Sequence, residues 1–209
     1  MKKNLTELVF ILDRSGSMSG MENDTIGGFN AMIEKQKKET GEAYVSTVLF
    51  STGTKVLHDR LSLSEIEPLT ERDYTVGGGT ALLDAIGDSV KHIGNIHKYA
   101  RPEDVPEHTI FVITTDGMEN ASRRYTSDEV KSIIRRQKEK YGWEFLFVAA
   151  NIDAVETAKS IGIERDRAAN YSVERDTPLM YSEMNETLCA FRKSGKIRED
   201  WAENINKEI

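Results

Sequence analysis

The chain has 209 residues, a length that suits one large domain. It contains 28 Lys or Arg and 35 Asp or Glu, so its formal net charge is −7. The acidic balance argues against a general nucleic-acid binder, which needs a basic face, and against electrostatic docking on anionic membranes. The single cysteine, Cys189, cannot form an internal disulfide, and no apolar run approaches the ~18–20 residues of a membrane span, so we expect a cytoplasmic protein.

Strand and helix patterns alternate through the first half of the chain. A continuous apolar run, residues 8–12, predicts a strand buried on both faces, as in a parallel sheet. Apolar residues at helical spacing follow, and Gly41 closes that helix. Residues 45–51 are predicted as a strand. Residues 54–63 alternate and are predicted to pair with it across Gly53 as an antiparallel edge strand.

The second half continues the alternation. After the loop at residues 77–79, an apolar helical face runs over residues 82–96. Residues 109–115 predict another buried strand, and Thr126 with Glu129 forms a capping box that starts the next helix. The later elements are, in chain order, a strand at 144–150, a short helix at 155–161, a short last strand at 171–173 and a final helix over 180–191.

This order predicts an α/β fold with a mostly parallel six-stranded sheet, one antiparallel edge strand and helices on both faces. No repeat, composition shift or low-complexity linker divides the chain. We therefore predict one domain, residues 1–193, followed by a polar C-terminal tail, residues 194–209, which is expected to fray.

Two of the predicted strands end in aspartate, Asp13 and Asp116. Ligands of open α/β sheets bind beyond the carboxyl ends of the strands, so the two carboxylates meet there if their strands are neighbours. Ser15 and Ser17 follow the first aspartate, and Thr80 follows three glycines. Two carboxylates and three hydroxyls form a hard-oxygen set that suits Mg²⁺, Mn²⁺ or Ca²⁺ and not Zn²⁺. Two ionised acids nearly neutralise such an ion, so a carboxylate from outside would be a good further ligand.

These residues carry a resemblance to a known family. The segments Asp13-x-Ser15-x-Ser17, Thr80 after three glycines, and Asp116 within Thr-Asp-Gly resemble the three parts of the metal-ion-dependent adhesion site of von Willebrand factor type A domains. The order of elements also matches, and the family fold is a Rossmann-like, doubly wound sheet with one antiparallel edge strand. The Gly-Met-Glu-Asn segment, residues 117–120, resembles bacterial stand-alone members.

The resemblance implies a role for each of the five residues. Ser15 and Ser17 would coordinate the ion directly, and Thr80 would do so in the liganded state. Asp13 and Asp116 would act largely through metal-bound waters. The implied ion is Mg²⁺ ahead of Mn²⁺ or Ca²⁺. An open coordination position would take an Asp or Glu of a partner protein, which is adhesion or assembly chemistry and not turnover.

Two other functions stay open at this point. The first is a Mg²⁺-dependent phosphoester hydrolase with Asp13 as nucleophile or water activator, and the second is a scaffold or regulatory subunit with a structural metal. The sequence lacks a phosphate-binding P-loop and a dinucleotide-binding glycine pattern. Met18 stands where a nucleophile elbow needs serine, and Ser15 stands where haloacid-dehalogenase-like phosphatases have a second aspartate. We therefore expect a protein that is not an enzyme.

Structural explanations compete with the functional ones for several residues. Asp13, Ser15 and Ser17 could form a polar turn that caps the next helix, and Thr80 could be an N-cap. Asp84 and Glu119 are expected to be solvated or helix-capping side chains and not ligands, although Glu119 could also tune the site. No catalytic role is expected for Cys189 or for the histidines, His58, His92, His97 and His108. The Arg123–Arg124 pair could steer an acidic partner.

Overall fold

The computed structural model describes residues 1–206, apart from the side chains of residues 173–176. The strands are Lys2–Asp13 (β1), Glu42–Phe50 (β2), Thr54–Ser62 (β3), Pro106–Thr115 (β4), Glu144–Ala149 (β5) and Ala168–Asn170 (β6). The helices are Glu22–Gln36 (α1), Leu82–Tyr99 (α2), Ser127–Tyr141 (α3), Ala154–Ser160 (α4), Val173–Ser194 (α5) and Glu203–Asn206 (α6). Strands and helices therefore alternate along most of the described chain.

The six strands form one sheet in the order β3-β2-β1-β4-β5-β6. β3 is antiparallel to β2, and every other neighbouring pair is parallel. This confirms the predicted fold class, a Rossmann-like α/β sheet with one antiparallel edge strand. The order reverses at β1, which lies between β2 and β4 at the centre of the sheet.

The central strand β1 is apolar on both faces because helices cover both sides of the sheet. Leu8, Phe10 and Leu12 lie in a core cluster with residues of α1 and α5. Val9 and Ile11 lie in a second cluster with residues of α2, α3 and α4. Successive side chains of a strand point to opposite faces, so an unbroken apolar run is what a doubly covered strand requires.

The predicted last strand is wrong by three residues. β6 is Ala168–Asn170, which pairs with β5 through Ala168 opposite Phe147 and Asn170 opposite Ala149. Tyr171 and Val173 have the higher β-propensity, but the ladder with β5 covers the three less β-prone residues before them, and only the Tyr171 N–H still bonds β5, at the Ala149 carbonyl 3.0 Å away. Pairing with the neighbouring strand therefore overrides local propensity at this edge.

The expectation that the tail frays is also wrong for residues 195–206. Ile197, Trp201 and Ile205 are exposed by 7%, 4% and 0% and belong to the first core cluster. The Trp201 indole Nε1 also donates a 2.8 Å hydrogen bond to the carbonyl of Asp166. Of these three apolar residues only Ile205 lies in a helix, α6, so turns between α5 and α6 bring the other two into the core. The remaining tail residues, 207–209, lie outside the described part.

The edge strand β3 departs from regular geometry. Its pairing with β2 shifts register twice, on either side of the pair Thr47 and His58. Arg60 adopts a left-handed backbone with φ of 51°. Its guanidinium Nε donates to both carboxylate oxygens of Glu7, at 2.8 and 3.1 Å, and Glu7 is fully buried. The irregular geometry of β3 therefore places the Arg60 guanidinium against the Glu7 carboxylate of the central strand β1.

None of the helices in residues 1–206 combines the length and apolarity that crossing a bilayer requires.

Candidate metal centre

The candidate site lies at the carboxyl ends of the two central strands. β1 ends at Asp13, and Asp116 directly follows β4. These strands are parallel neighbours with Leu12 opposite Thr114, so both aspartates reach the same edge of the sheet. Both are buried, with exposures of 0% and 3%.

The structure brings all five predicted ligand residues together. Ser17 Oγ donates to Asp116 Oδ1 at 2.5 Å and lies 3.0 Å from Ser15 Oγ. A Cβ atom built on Gly117 would lie 2.9 Å from Ser17 Oγ, 3.1 Å from Thr80 Oγ1 and 3.8 Å from Ser15 Oγ. The three hydroxyls therefore border one small space, and glycine at position 117 leaves that space open.

The two carboxylates differ in how their oxygens are satisfied. Asp13 Oδ2 accepts from Thr115 Oγ1 at 2.5 Å, and Asp13 Oδ1 accepts from the backbone N–H of Ser15 at 2.7 Å. Asp116 Oδ2 is buried and has no hydrogen-bond partner among the described residues. A buried acceptor of this kind costs about 1–3 kcal/mol if nothing binds it. The structure therefore contains an oxygen that a cation would satisfy.

Burial also disfavours the charged forms of both acids. It raises the pKa of Asp13, although hydrogen bonds from Thr115 and Ser15 oppose the rise. Burial likewise raises the pKa of Asp116, where the Ser17 hydroxyl opposes the rise and the charge of Asp13 adds to it. Two carboxylates close together in a low-dielectric site repel each other, and a divalent cation would relieve that repulsion.

The donor set fits a hard divalent cation. All five side chains offer oxygen, as Mg²⁺, Mn²⁺ and Ca²⁺ prefer. Within residues 1–206 there is no group of three or more His, Cys, Asp or Glu side chains placed to hold a metal. That is expected for a set with only two acids, in which hydroxyls supply the other ligands.

The capping explanation does not account for these hydroxyls. Ser15 precedes a short 3-10 helix at Gly16–Met18 but makes no side-chain capping bond there. The N-cap of α2 is Ala81 and not Thr80. The side chains are therefore not engaged in the caps that their positions would allow.

The loop after β4 holds Thr80 in place through Asn120, a residue for which the sequence predicted no role. Asn120 Oδ1 accepts from the Thr80 backbone N–H at 2.8 Å, and the Asn120 N–H donates back to the Thr80 carbonyl at 3.0 Å. These two hydrogen bonds hold the loop that carries Thr80 against the loop that carries Asp116. The only sequence feature that indicated this contact was the presence of polar residues after Asp116.

Glu119 joins the same two loops and caps α2. Its carboxylate accepts from the backbone N–H groups of Leu83, Ala121 and Ser122 at 2.8–2.9 Å and from the Ser122 hydroxyl at 2.7 Å. Glu119 is therefore a capping residue, one of the two roles expected for it, and it orients the loop beside the site.

Asp84 and the arginine pair form a second clamp nearby. Asp84 accepts from the backbone N–H groups of Arg123, Arg124 and Tyr125 at 2.9–3.0 Å. Burial raises its pKa, but these donors and the Arg124 side chain outweigh that effect and hold it below its usual value. The Arg124 guanidinium also pairs with Asp88 at 2.5 Å. Both arginines are exposed, but Arg124 pairs with two carboxylates, whereas no ion pair of Arg123 is found among the described residues.

The remaining candidates lie away from the centre. His58 contacts Thr47, His92 contacts Asp59, and His97 contacts the buried Glu7. The ring of His108 packs against Phe191, with 5.6 Å between centroids. Cys189 is buried on α5 near the Gln36 amide, at 3.2 Å.

Comparison with known proteins gives a structural likeness only. No protein-family model and no curated protein matches the sequence. Among solved structures, the von Willebrand factor domain of the type V pili tip protein Mfa5 from Porphyromonas gingivalis has a TM-score of 0.65 at 11% identity, with 93% of this chain and 98% of that chain covered.

Two further similar structures contain metals. Proximal thread matrix protein 1 from the mussel byssus, with its adhesion-site motif occupied by zinc, has a TM-score of 0.58 at 14% identity over 88% of this chain. The present chain spans 46% of the length of that protein. Manganese-loaded TRAP protein from Plasmodium vivax has a TM-score of 0.59 at 15% identity, covering 86% of this chain and 73% of that chain. The chain thus has the von Willebrand factor type A fold.

Proposed function

We propose that this protein is a metal-dependent protein-binding module whose adhesion site holds a divalent cation, with Mg²⁺ as the native ion. The observation that carries the proposal is the unsatisfied, buried Oδ2 of Asp116, which lies in a carboxylate pair and beside three converging hydroxyls. Mn²⁺ and Ca²⁺ are the alternative ions because they accept the same oxygen donors.

Each ligand residue has its own part in this proposal. Ser15, Ser17 and Thr80 offer neutral hydroxyls to the ion, and Asp13 and Asp116 supply the balancing negative charge. When bound, the cation supplies a Lewis-acidic position for a carboxylate from outside. Ser17 is exposed whereas Asp13 and Ser15 are buried, so the site opens on the Ser17 side. We propose that a partner protein presents an Asp or Glu from that side.

The environment of Asp13 supports binding over hydrolysis. A carboxylate that attacks phosphorus needs a free oxygen that faces the substrate. Asp13 is fully buried, and both its oxygens already accept hydrogen bonds. We therefore propose that the protein is not an enzyme. A cytoplasmic location remains part of the proposal, and the buried free thiol of Cys189 is compatible with it.

Isothermal titration with Mg²⁺ or Mn²⁺ after EDTA treatment tests the metal site. Asp116→Asn and Ser17→Ala should each weaken binding at least tenfold, which corresponds to about 1.4 kcal/mol. Asp24→Asn, an exposed aspartate on α1, is the matched control and should bind the ion as the unmodified protein does. Equal affinity in the Asp116 and Asp24 variants would refute the site.

A displayed random-peptide library tests capture of an acidic residue. Selection on the Mn²⁺-loaded protein should return peptides whose binding needs one Asp or Glu and is lost in EDTA. Peptides that survive EDTA, or bind the Asp116→Asn variant equally well, would favour a scaffold that uses another surface and a structural metal.

A further inference from the structure

A second cavity lies at the opposite end of the sheet from the metal centre. It has a volume of about 630 Å³ and lies between α2 and α3, where β4 begins at Pro106. Asp116 follows the other end of the same strand. Small-molecule sites typically enclose about 300–1,000 Å³, so the cavity has the size of a ligand pocket.

The cavity combines aromatic walls with an unsatisfied polar atom. Trp143 lines it, is exposed by 5%, and is held by stacking on Phe111 with 5.4 Å between ring centroids. The Tyr141 ring at the rim is half-exposed. Gln137 also lines the cavity and is exposed by only 9%, yet its Oε1 has no hydrogen-bond partner among the described residues. A ligand with an N–H or O–H donor would satisfy that oxygen.

Cations dominate the charge around this cavity, although the whole chain is acidic. Its lining includes four basic side chains, from Lys91, Lys98, Arg136 and Lys140, and one carboxylate, from Glu107. Within the described part of the chain, none of the four cations pairs with a carboxylate. The Glu107 carboxylate accepts from the backbone N–H of Asn4 at 2.8 Å. The rim therefore has an excess of positive charge.

Helix-end electrostatics explains only part of this charge. Lys98 and Lys140 lie in the last turns of α2 and α3, where a cation compensates the negative end of the helix dipole. Lys91 lies in the middle of α2, and Arg136 lies more than one turn before the end of α3. By contrast, Lys138 on α3 pairs with Glu164, away from the cavity. Two cations beyond the helix-end pattern thus line the cavity, Arg136 from α3 and Lys91 from α2, and the Lys91 ammonium also lies 4.5 Å from the centre of the Tyr125 ring.

We propose that this cavity binds a nucleotide, independently of the metal centre. Its phosphates would lie among the four cations, because Lys and Arg form charge-assisted hydrogen bonds with phosphate oxygens. Its base would stack on the half-exposed Tyr141 ring, as bases do on aromatic side chains, on the face that the Lys140 ammonium, 5.2 Å from the ring centre, does not cover. A hydroxyl or amino donor of the nucleotide would satisfy Gln137 Oε1. These three contacts match the charge, the ring and the unpaired acceptor that the cavity presents together.

Isothermal titration of the full chain with ATP in EDTA tests the proposal, since EDTA removes any contribution from the metal centre. The double variant Lys98→Glu/Arg136→Glu should bind ATP at least tenfold more weakly. The matched control is Lys38→Glu/Lys159→Glu, which makes the same charge change at exposed positions outside the cavity. That control should retain the affinity. Gln137→Leu, close in size, should weaken ATP binding without lowering the thermal midpoint.

Adenosine and inorganic triphosphate separate the parts of the ligand. Each should bind more weakly than ATP, because each lacks one set of contacts. The proposal is overturned if millimolar ATP gives no binding, or if both double variants lose equal affinity. It is also overturned if triphosphate binds as tightly as ATP, which would indicate a patch for anions of any kind. Tighter binding of a poly-glutamate peptide, with the same sensitivity to Arg136, would identify a protein-docking surface instead.

Discussion

Replacement of Glu119 by alanine should loosen both loops that carry the candidate ligands. The change leaves three backbone N–H groups and the Ser122 hydroxyl without their acceptor. Glu119 is half-buried, so water replaces part of each bond, and we expect about 0.5–1 kcal/mol per bond, or about 2–4 kcal/mol in total. For a domain of this size that loss lowers the thermal midpoint by roughly 5–15 °C.

The same substitution should weaken metal binding, although Glu119 is not a ligand. Glu119 ties the loop after β4 to the start of α2, and Thr80 lies between those two segments. Calorimetry should show the lower midpoint in EDTA and a smaller upward shift on addition of Mn²⁺. Glu71→Ala, an exposed glutamate, is the control, and Glu119→Gln should be intermediate because it keeps one acceptor oxygen. If Glu119→Ala behaves like the Glu71 variant, the loops do not depend on this carboxylate.

Three further predictions concern other parts of the molecule. In EDTA, Asp116→Asn should be more stable than the unmodified protein at pH 7.5, and the difference should shrink as pH falls. The reason is that the pKa of Asp116 is raised in the folded protein, so ionisation of this carboxyl destabilises the fold as pH rises, and asparagine does not ionise. Urea denaturation at several pH values measures this, and a constant difference would contradict it. Gly78→Ala should cost at least about 1 kcal/mol, since φ is 83° and its Cβ would lie 2.6 Å from Thr52 Oγ1; an unchanged urea midpoint would refute the strain. Ile205→Ala should cost about 2–5 kcal/mol by the same assay because Ile205 is fully buried, whereas a value near zero would mean that the tail is not part of the core.

Local patterns in the sequence predicted the elements that place the candidate site. The β-rich apolar run in β1 favours a strand covered on both faces, and the aspartate that ends this strand lies at the edge of the sheet. The capping box of Thr126 and Glu129 is confirmed at the start of α3, where both reciprocal bonds form. The predicted elements therefore place the five candidate ligands close together at one edge of the sheet: Asp13, Ser15, Ser17, Thr80 and Asp116.

Three features that depend on contacts between distant segments were not predicted. The position of β6 is set by its pairing with β5, and the β-propensity of residues 168–173 carries no information about that pairing. The two hydrogen bonds between Thr80 and Asn120 join residues forty positions apart. The cavity between α2 and α3 needs both helices in place before its cations become neighbours.

The irregular geometry of β3 has a consequence for the behaviour of the protein at high concentration. An edge strand offers unpaired backbone groups to other molecules, and β3 also exposes Val56 by 54% and Leu61 by 40%. Its two register shifts and the left-handed Arg60 make that edge irregular, which disfavours regular pairing with a strand of another chain. The Arg60 guanidinium is anchored on Glu7 beside these irregularities. We therefore expect the ion pair inside the fold also to protect this edge against edge-to-edge aggregation.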